Sequence, residues 1–358
     1  MNQVEASAPG KLYIAGEYAV VEPGHPAILV AVDQFLTVKV RPSETVGTIH
    51  SSHYSSIPLQ WTRENGKLIV DERENPFHYL LAAIDYTERY VKECGNELSI
   101  YHLAVESELD SANGLKYGLG SSAAVTVATV RVLLKFYGMS ESDELVFKLS
   151  VLAHLSVKSN GSFGDIAAAT YTGWLAYSSF DREWVKAKLN THSIQSIVAL
   201  DWPAFMVEKL TPPDNLKLLI GWTGSPASTT DLVDQVKAKR EAKAQSYQAF
   251  LAESKACVEQ MIQAFRSGSL PDIQIAIRKN RHILKTMSDS TGVSIETSTL
   301  AQLCEDAESY QGAAKSSGAG GGDCGIALFD RESSLIDLVS KWEAHQITLL
   351  PLQVYTRS

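Results

Sequence analysis

The sequence predicts a mixed helix-and-strand protein in two lobes, and three observations predict it. The chain has 358 residues, more than one compact domain usually holds. Short apolar or alternating runs interleave with runs of helical spacing along its length. The composition then shifts after about residue 180, where charged and proline-containing connections with Asp201-Trp202 and Pro212-Pro213 as markers place a boundary near 185. The expected lobes are therefore 1–185 and 186–358.

Hydrophobic residues make up 45% of the chain and charged residues 20%, ordinary values for a protein with a real core. The net charge of −9 argues against a nucleic-acid partner, which calls for a basic face. No run reaches the roughly 18 apolar residues of a membrane span, so no membrane partner is expected. The four cysteines, Cys94, Cys257, Cys304 and Cys324, form no C-x-x-C pair and no zinc pattern, which suits the reduced thiols of a cytoplasmic protein. MNQVEASAPGK carries no signal-sequence pattern. Nothing in the sequence bears on oligomeric state.

Taken in order, PGKLYIAGEYAVV (9–21) reads as two short strands around a bend at Gly16. Lys11 and Glu17 flank that bend and could form a surface ion pair. Ala27–Val32 and Phe35–Val40 read as further strands. Residues 41–75 are polar and turn-rich, with Tyr54, Trp61 and Ile69 as anchors. Phe77–Val91 has helical spacing, Leu98–Leu109 reads as a strand, and Glu144–Leu155 as an amphipathic helix. KSNGSFGDIAAA (158–169) sets glycines on both sides of Ser162 and just before Asp165, which serves either as an N-cap or as a carboxylate aimed into a cleft. Trp174–Ser178 and Leu216–Trp222 read as strands. Ser228, Thr229 and Thr230 could cap a long helix from about 231 to 266, and helices are expected over 271–286 and 296–310. The strand Cys324–Phe329, a helix from Leu335 to His345 and the strand Ile347–Val354 complete the chain.

Residues 114–135, GLKYGLGSSAAVTVATVRVLLK, organise the rest. Gly118 and Gly120 allow a tight bend, Ser121 or Ser122 can cap the following helix, and the helix start offers free N–H groups with a positive dipole end. That is an anion site, and phosphate is the usual anion. No Walker A string occurs. Gly118–Ala123 matches G-x-G-x-x-A, but over a hundred residues into the chain and away from a βαβ start. KSSGAGGGDCGIAL (315–328) has four glycines, 318 and 320–322, directly before an apolar strand; a loop inside a folded unit lets backbone press on a ligand.

PGKLYIAGEY, GLGSSAAV and KSSGAGGGDCG, in this order, resemble the GHMP kinases, the small-molecule kinases named for galactose, homoserine, mevalonate and phosphomevalonate. The wording GKLYIAGEYAVVEPG, NGSFGD and SGAGGGDC is similar to the phosphomevalonate-kinase branch. Mevalonate kinases tend to carry His where this chain has Tyr18 and another Gly where it has Asp323. The resemblance implies an α+β, two-lobe GHMP kinase fold with an N-terminal ribosomal S5 domain 2-like lobe and a C-terminal ferredoxin-like lobe. ATP would lie between them, and a phosphate-bearing small molecule, phosphomevalonate, would be the acceptor.

By the same resemblance, Lys116, Gly118, Leu119, Gly120, Ser121 and Ser122 contact ATP, with Ser122 also on Mg²⁺. Lys11, Tyr18, Gly161, Ser162, Asp165, Thr229, Ser317, Gly318, Ala319 and Gly320 contact substrate, and Lys11 and Asp165 are catalytic. Lys116 and Lys158 would join Lys11 in offsetting the substrates' charge. An alcohol acceptor such as mevalonate would need Asp165 as a base, whereas a phosphate would leave it to orient Lys11 or Mg²⁺. A dinucleotide oxidoreductase would leave 317–322 unexplained, and a nucleotide-binding protein without turnover would keep both loops.

Overall fold

The computed structural model describes residues 3–51, 55–64, 67–70, 77–109, 117–157, 159–225, 229–240 and 244–357. The first sheet is built from β1 (Val4–Ala15), β2 (Pro26–Ser43), β3 (Gly47–Ser51), β4 (Ser55–Glu64), β5 (Lys67–Val70), β6 (Ile100–Ser107), β7 (Trp174–Ser178) and β8 (Met206–Leu210). Its order is β5-β4-β3-β6-β2-β7-β8, with β1 paired to β2. Only β3 and β6 pair in parallel among the described strands.

Two of the expected strands merge into the 18-residue β2. The break shows instead as a register shift, from Pro9↔Phe35 to Gly10↔Val32. Pro9 has no N–H to give the ladder, so the ladder slips where it sits. The run Ala19–Val21 is a 3-10 turn rather than a second strand. Tyr18 precedes it with φ 62°, a left-handed conformation that cannot continue a strand. Residues 41–75 carry β3, β4 and β5; Trp61 is buried as expected, Ile69 is exposed, and Tyr54 lies outside the described residues.

Four helices follow: α1 (His78–Glu93), α2 (Ser121–Phe136), α3 (Asp143–Ser156) and α4 (Gly164–Tyr171). α2 is buried nearly all round, as its run of Ala, Val and Leu requires. Arg131 is the exception in charge; it donates to Asp143 (2.6 Å) and to Thr170 O (2.9 Å). Two short helices, α5 (Arg182–Leu189) and α6 (Ile194–Ala199), and β8 occupy the segment read as connections. Because β8 returns to pair with β7, the first sheet runs to Leu210, and the change of sheet falls between Leu210 and Leu216 rather than near 185.

The second part runs β9 (Leu216–Trp222), α7 (Thr229–Arg240), α8 (Ala244–Arg266), α9 (Leu270–Thr291), α10 (Ser298–Ser309), β10 (Ala313–Ser316), β11 (Cys324–Asp330), α11 (Ile336–Ala344) and β12 (Thr348–Leu350). Its antiparallel sheet has the order β10-β11-β9-β12, the second, third, first and fourth strands of the lobe. That is the ferredoxin-like arrangement. The expected helix 231–266 is two helices, with 241–243 outside the described residues. The chain end clips back onto the first sheet: Tyr355 N donates to Ala31 O at 2.9 Å and Gly173 N to Tyr355 O at 2.7 Å. Among the described residues, no helix is long and apolar enough to cross a membrane.

Candidate active site

A cleft of about 290 Å³ opens between the lobes, and the three glycine-bearing stretches meet in it. β1 supplies Lys11 and Tyr13, two residues apart and so on one face of the strand. Lys11 N donates to Leu119 O and Lys11 Nζ to Gly118 O, both at 2.9 Å, which fixes the loop 118–120 against β1. Gly118 (φ 77°) and Gly120 (φ 86°) both need the left-handed region. A side chain at Gly120 would press on the Lys11 stem, with Asp165 beyond. Gly120, and not Ser121 or Ser122, is the N-cap of α2. The two serines form its first turn, where N–H groups have no intrahelical acceptor. The cleft therefore receives an uncapped helix start and an ammonium side by side.

α4 begins with Phe163 in the left-handed region (φ 61°), its ring stacked on Phe180 at 5.4 Å and lying under the Arg182 guanidinium at 5.1 Å. These contacts hold a strained residue in place. Asp165 follows in the first turn; its Oδ1 accepts from Ile166 N at 3.0 Å. Ser162 Oγ bonds to Tyr13 Oη (2.7 Å), and Tyr177 Oη donates to Ser162 O (2.6 Å). Burial, and after it the charge of Asp165, pushes the Tyr13 phenol well above its ordinary value, so Tyr13 stays protonated. Among the described residues, no ion pair joins Lys11 to Asp165; both flank Gly120 instead.

The third stretch closes the opposite wall. Ser317 Oγ accepts from Tyr13 N and donates to Tyr13 O, each at 2.9 Å. Tyr18 Oη donates to Ala319 O at 2.5 Å. Gly320 and Gly322 have no room for a side chain, since one would overlap Ile295 O and Ser225 O respectively. Glu17 is not a surface partner of Lys11. It is buried and ion-paired with Lys315, itself fully buried, across the lobes.

Of the residues read from the sequence, Lys11, Tyr18, Gly118, Leu119, Gly120, Ser121, Ser122, Gly161, Ser162, Asp165, Gly318 and Ala319 line this cleft. Ser317 acts one layer back through Tyr13, and Gly320 packs on Ile295 outside the lining. Thr229 starts α7, whose Val233 reaches the cleft, but the Thr229 side chain lies outside the described residues, as do Lys116 and Lys158. The sequence reading missed Tyr13, Tyr79, His154, Asn160 and Asp323. For Tyr13 the signal existed, because alternation along β1 sets it beside Lys11. Tyr79 and His154 sit inside ordinary amphipathic runs and carry none.

His154 lies under the start of α2, with the Tyr79 ring 4.5 Å away. Thr126 Oγ1 donates to Ser122 O (2.9 Å), so His154 Nε2–H is the donor to Thr126 Oγ1 (2.9 Å). Burial holds His154 below its ordinary value. A histidine with a lowered folded value takes up its proton preferentially when unfolded. Its contribution is thus complete above about pH 6.5 and is lost as pH falls below that. The stability advantage of wild type over His154→Leu, measured by urea midpoint, is expected to narrow between pH 8 and pH 5.5. A constant advantage would contradict the assignment.

No cluster of three or more His, Cys, Asp or Glu side chains suited to a metal occurs among the described residues. Mg²⁺ takes one or two carboxylates together with phosphates and waters rather than a protein cage. The Ser122 hydroxyl and the Asp165 carboxylate, both on the cleft, are a donor set of that kind.

The sequence and the fold also match those of known proteins. Residues 78–173 match the model of the GHMP kinases N terminal domain, and residues 261–347 that of the GHMP kinases C terminal domain. A phosphomevalonate kinase of Streptomyces sp. (strain CL190) is 38% identical over 96% of this chain and 95% of its own length. The crystal structure of a Lin0012 protein from Listeria innocua superposes with a TM-score of 0.92 at 40% identity, covering 99% of both chains. Streptococcus pneumoniae phosphomevalonate kinase in complex with phosphomevalonate and AMPPNP superposes with a TM-score of 0.86 at 31% identity, covering 99% of this chain and 100% of that one.

Proposed function

This chain belongs to the GHMP kinases, and we propose that it transfers the γ-phosphoryl group of ATP to (R)-5-phosphomevalonate, giving 5-diphosphomevalonate and ADP. The observation that carries the reading is the meeting of an uncapped helix start, Lys11 and the glycine loop 317–322 in one cleft of a chain 38% identical to a phosphomevalonate kinase. The product is an intermediate on the mevalonate route to isopentenyl diphosphate. The four free cysteines, Cys94, Cys257, Cys304 and Cys324, favour a reducing compartment, the cytoplasm.

The N–H groups of Gly120, Ser121 and Ser122 take the β- and γ-phosphates, aided by the dipole of α2. Lys11 lies where charge gathers on the transferring group and neutralises it. An oxygen of the acceptor phosphate attacks the γ-phosphorus as the bond to the bridging β–γ oxygen breaks, and ADP leaves with that electron pair. Ser122 and Asp165 would hold Mg²⁺, which when bound neutralises the donor phosphates. Ser162, oriented by Tyr13, and the backbone of Ala319, fixed by Tyr18, position the acceptor.

A phosphomonoester has a second pKa of about 6 and is mostly dianionic at neutral pH. It brings no proton that must be removed, so Asp165 is not needed as a base. Asp165→Asn is therefore expected to cost about tenfold in turnover, against the 10²–10⁴-fold typical of a lost general base. The acid limb of the pH–rate profile, near 6, belongs to the substrate and should persist in the variant. Loss of that limb in Asp165→Asn would restore Asp165 as a base.

The direct test is ADP release with ATP–Mg²⁺ and three acceptors: mevalonate, 5-phosphomevalonate and 5-diphosphomevalonate. Turnover with 5-phosphomevalonate alone is expected. Turnover with mevalonate instead would overturn the acceptor and leave the kinase reading in place.

A further inference from the structure

Several cleft groups have no task in the mechanism above, and one of them is a buried carboxylate. Glu17 is 2% exposed and is among the residues that line the cleft. Lys315 Nζ, donating also to Ser316 O at 2.6 Å, holds its Oε1. Its second oxygen, Oε2, is buried with no hydrogen-bond partner among the described residues. A buried carboxylate oxygen left without a donor is costly, and a structural ion pair alone gives no reason for it. Its surroundings fix the chemistry of the missing partner. An anionic oxygen set against a carboxylate oxygen is repelled, so among the acceptor's groups the phosphate and carboxylate are excluded and a hydroxyl donor remains. Val20 and Val21 add apolar surface to the cleft lining.

We propose that Glu17 is a specificity residue, its Oε2 accepting a hydrogen bond from the tertiary hydroxyl of the acceptor, with Val20 and Val21 facing the adjacent methyl. Lys315 is the positioning residue: it holds Oε1 and so leaves Oε2 as the oxygen available to the substrate. Two more tethers keep the arrangement in register, Tyr18 Oη to Ala319 O and Ser317 Oγ to Tyr13. A site built around a substrate hydroxyl rejects the analogue that lacks it, because the buried acceptor then stays unpaired. The inference rests on phosphomevalonate as acceptor, the reading proposed above, whose tertiary hydroxyl is the group in question.

The test compares kcat/KM for 5-phosphomevalonate and for its 3-deoxy analogue, which keeps both anionic groups and lacks only the hydroxyl. Wild type is expected to prefer the hydroxylated acceptor by at least about 100-fold. Glu17→Gln combined with Lys315→Met, which removes the buried charges together, is expected to bring the ratio below about tenfold while leaving ATP affinity within about threefold. Should the double variant fail to bind ATP, Glu17→Asp serves in its place: it keeps the ion pair and withdraws the oxygen by one methylene, and the ratio should again narrow. A wild type that turns over both acceptors equally, or variants that slow both by the same factor, would overturn the inference and leave Glu17 holding only a water. A wild type inactive on 5-phosphomevalonate refutes the acceptor itself, an outcome seen before any variant is made.

Discussion

Lys11→Ala is expected to lower kcat about 10³-fold while ATP affinity changes by no more than a few-fold. Removing one donor aimed at developing charge costs about 10²–10³ in turnover, and a full positive charge beside a transferring phosphoryl group lies at or beyond the upper end of that range. The ground-state nucleotide is held mainly by the backbone of the loop 118–122 and the start of α2, which explains the spared affinity. Lys11 has a second task, because its Nζ donates to Gly118 O and its stem packs against Gly120. Lys11→Met keeps the stem and removes the charge, so it separates the two roles. Turnover as low as in Lys11→Ala, with better nucleotide affinity, is the expected result. Near-normal turnover in Lys11→Met would remove Lys11 from the chemistry.

Gly118→Ala should produce the second large effect, this time on nucleotide binding. At φ 77° an added Cβ would stand 2.5 Å from the Asp323 carboxyl, so both backbone strain and overlap oppose it. The loop must shift, and with it the N–H groups that receive phosphate; KM for ATP is expected to rise at least about 30-fold. Gly24→Ala is the matched control. Gly24 has a similar φ of 75° with nothing within 4 Å of the added atom, so only the strain remains. It should cost about 1 kcal/mol of stability and leave both KM values unchanged. Equal kinetic effects at the two positions would mean that strain, and not the Asp323 contact, governs the loop.

How much of this was legible depended on whether the cause was local. Gly118, Gly120 and Gly320 announce themselves because a left-handed backbone or a close approach nearly requires glycine, and that demand is written at the position itself. The apolar run of α2 and the small-residue start of α4 are equally local signals. Glu17 shows the opposite. Its partner Lys315 lies 298 residues away, and nothing near Glu17 distinguishes a buried interlobe pair from a surface one. His154 and Tyr79 become cleft residues only through the packing of α1, α2 and α3.

The extent of the first sheet was hidden for a related reason. The segment 181–215 is polar enough to read as a linker, yet it carries β8, an edge strand whose residues are mostly half-buried. Composition marks exposure, not the end of a sheet. Tyr18 misled the strand reading because its positive φ is imposed by the tether to Ala319 and by the turn after it, not by its own preference.

The ³¹P spectrum of the product made from ATP–Mg²⁺ and 5-phosphomevalonate tests the central claim most directly, since it reads the bond that forms. A phosphoryl group added to the acceptor phosphate must appear as two mutually coupled signals from one diphosphate, growing in step with ADP. A new uncoupled monoester signal, or ADP formed with inorganic phosphate alone, would mean that the cleft delivers its phosphoryl group to a hydroxyl or to water, and would contradict the account.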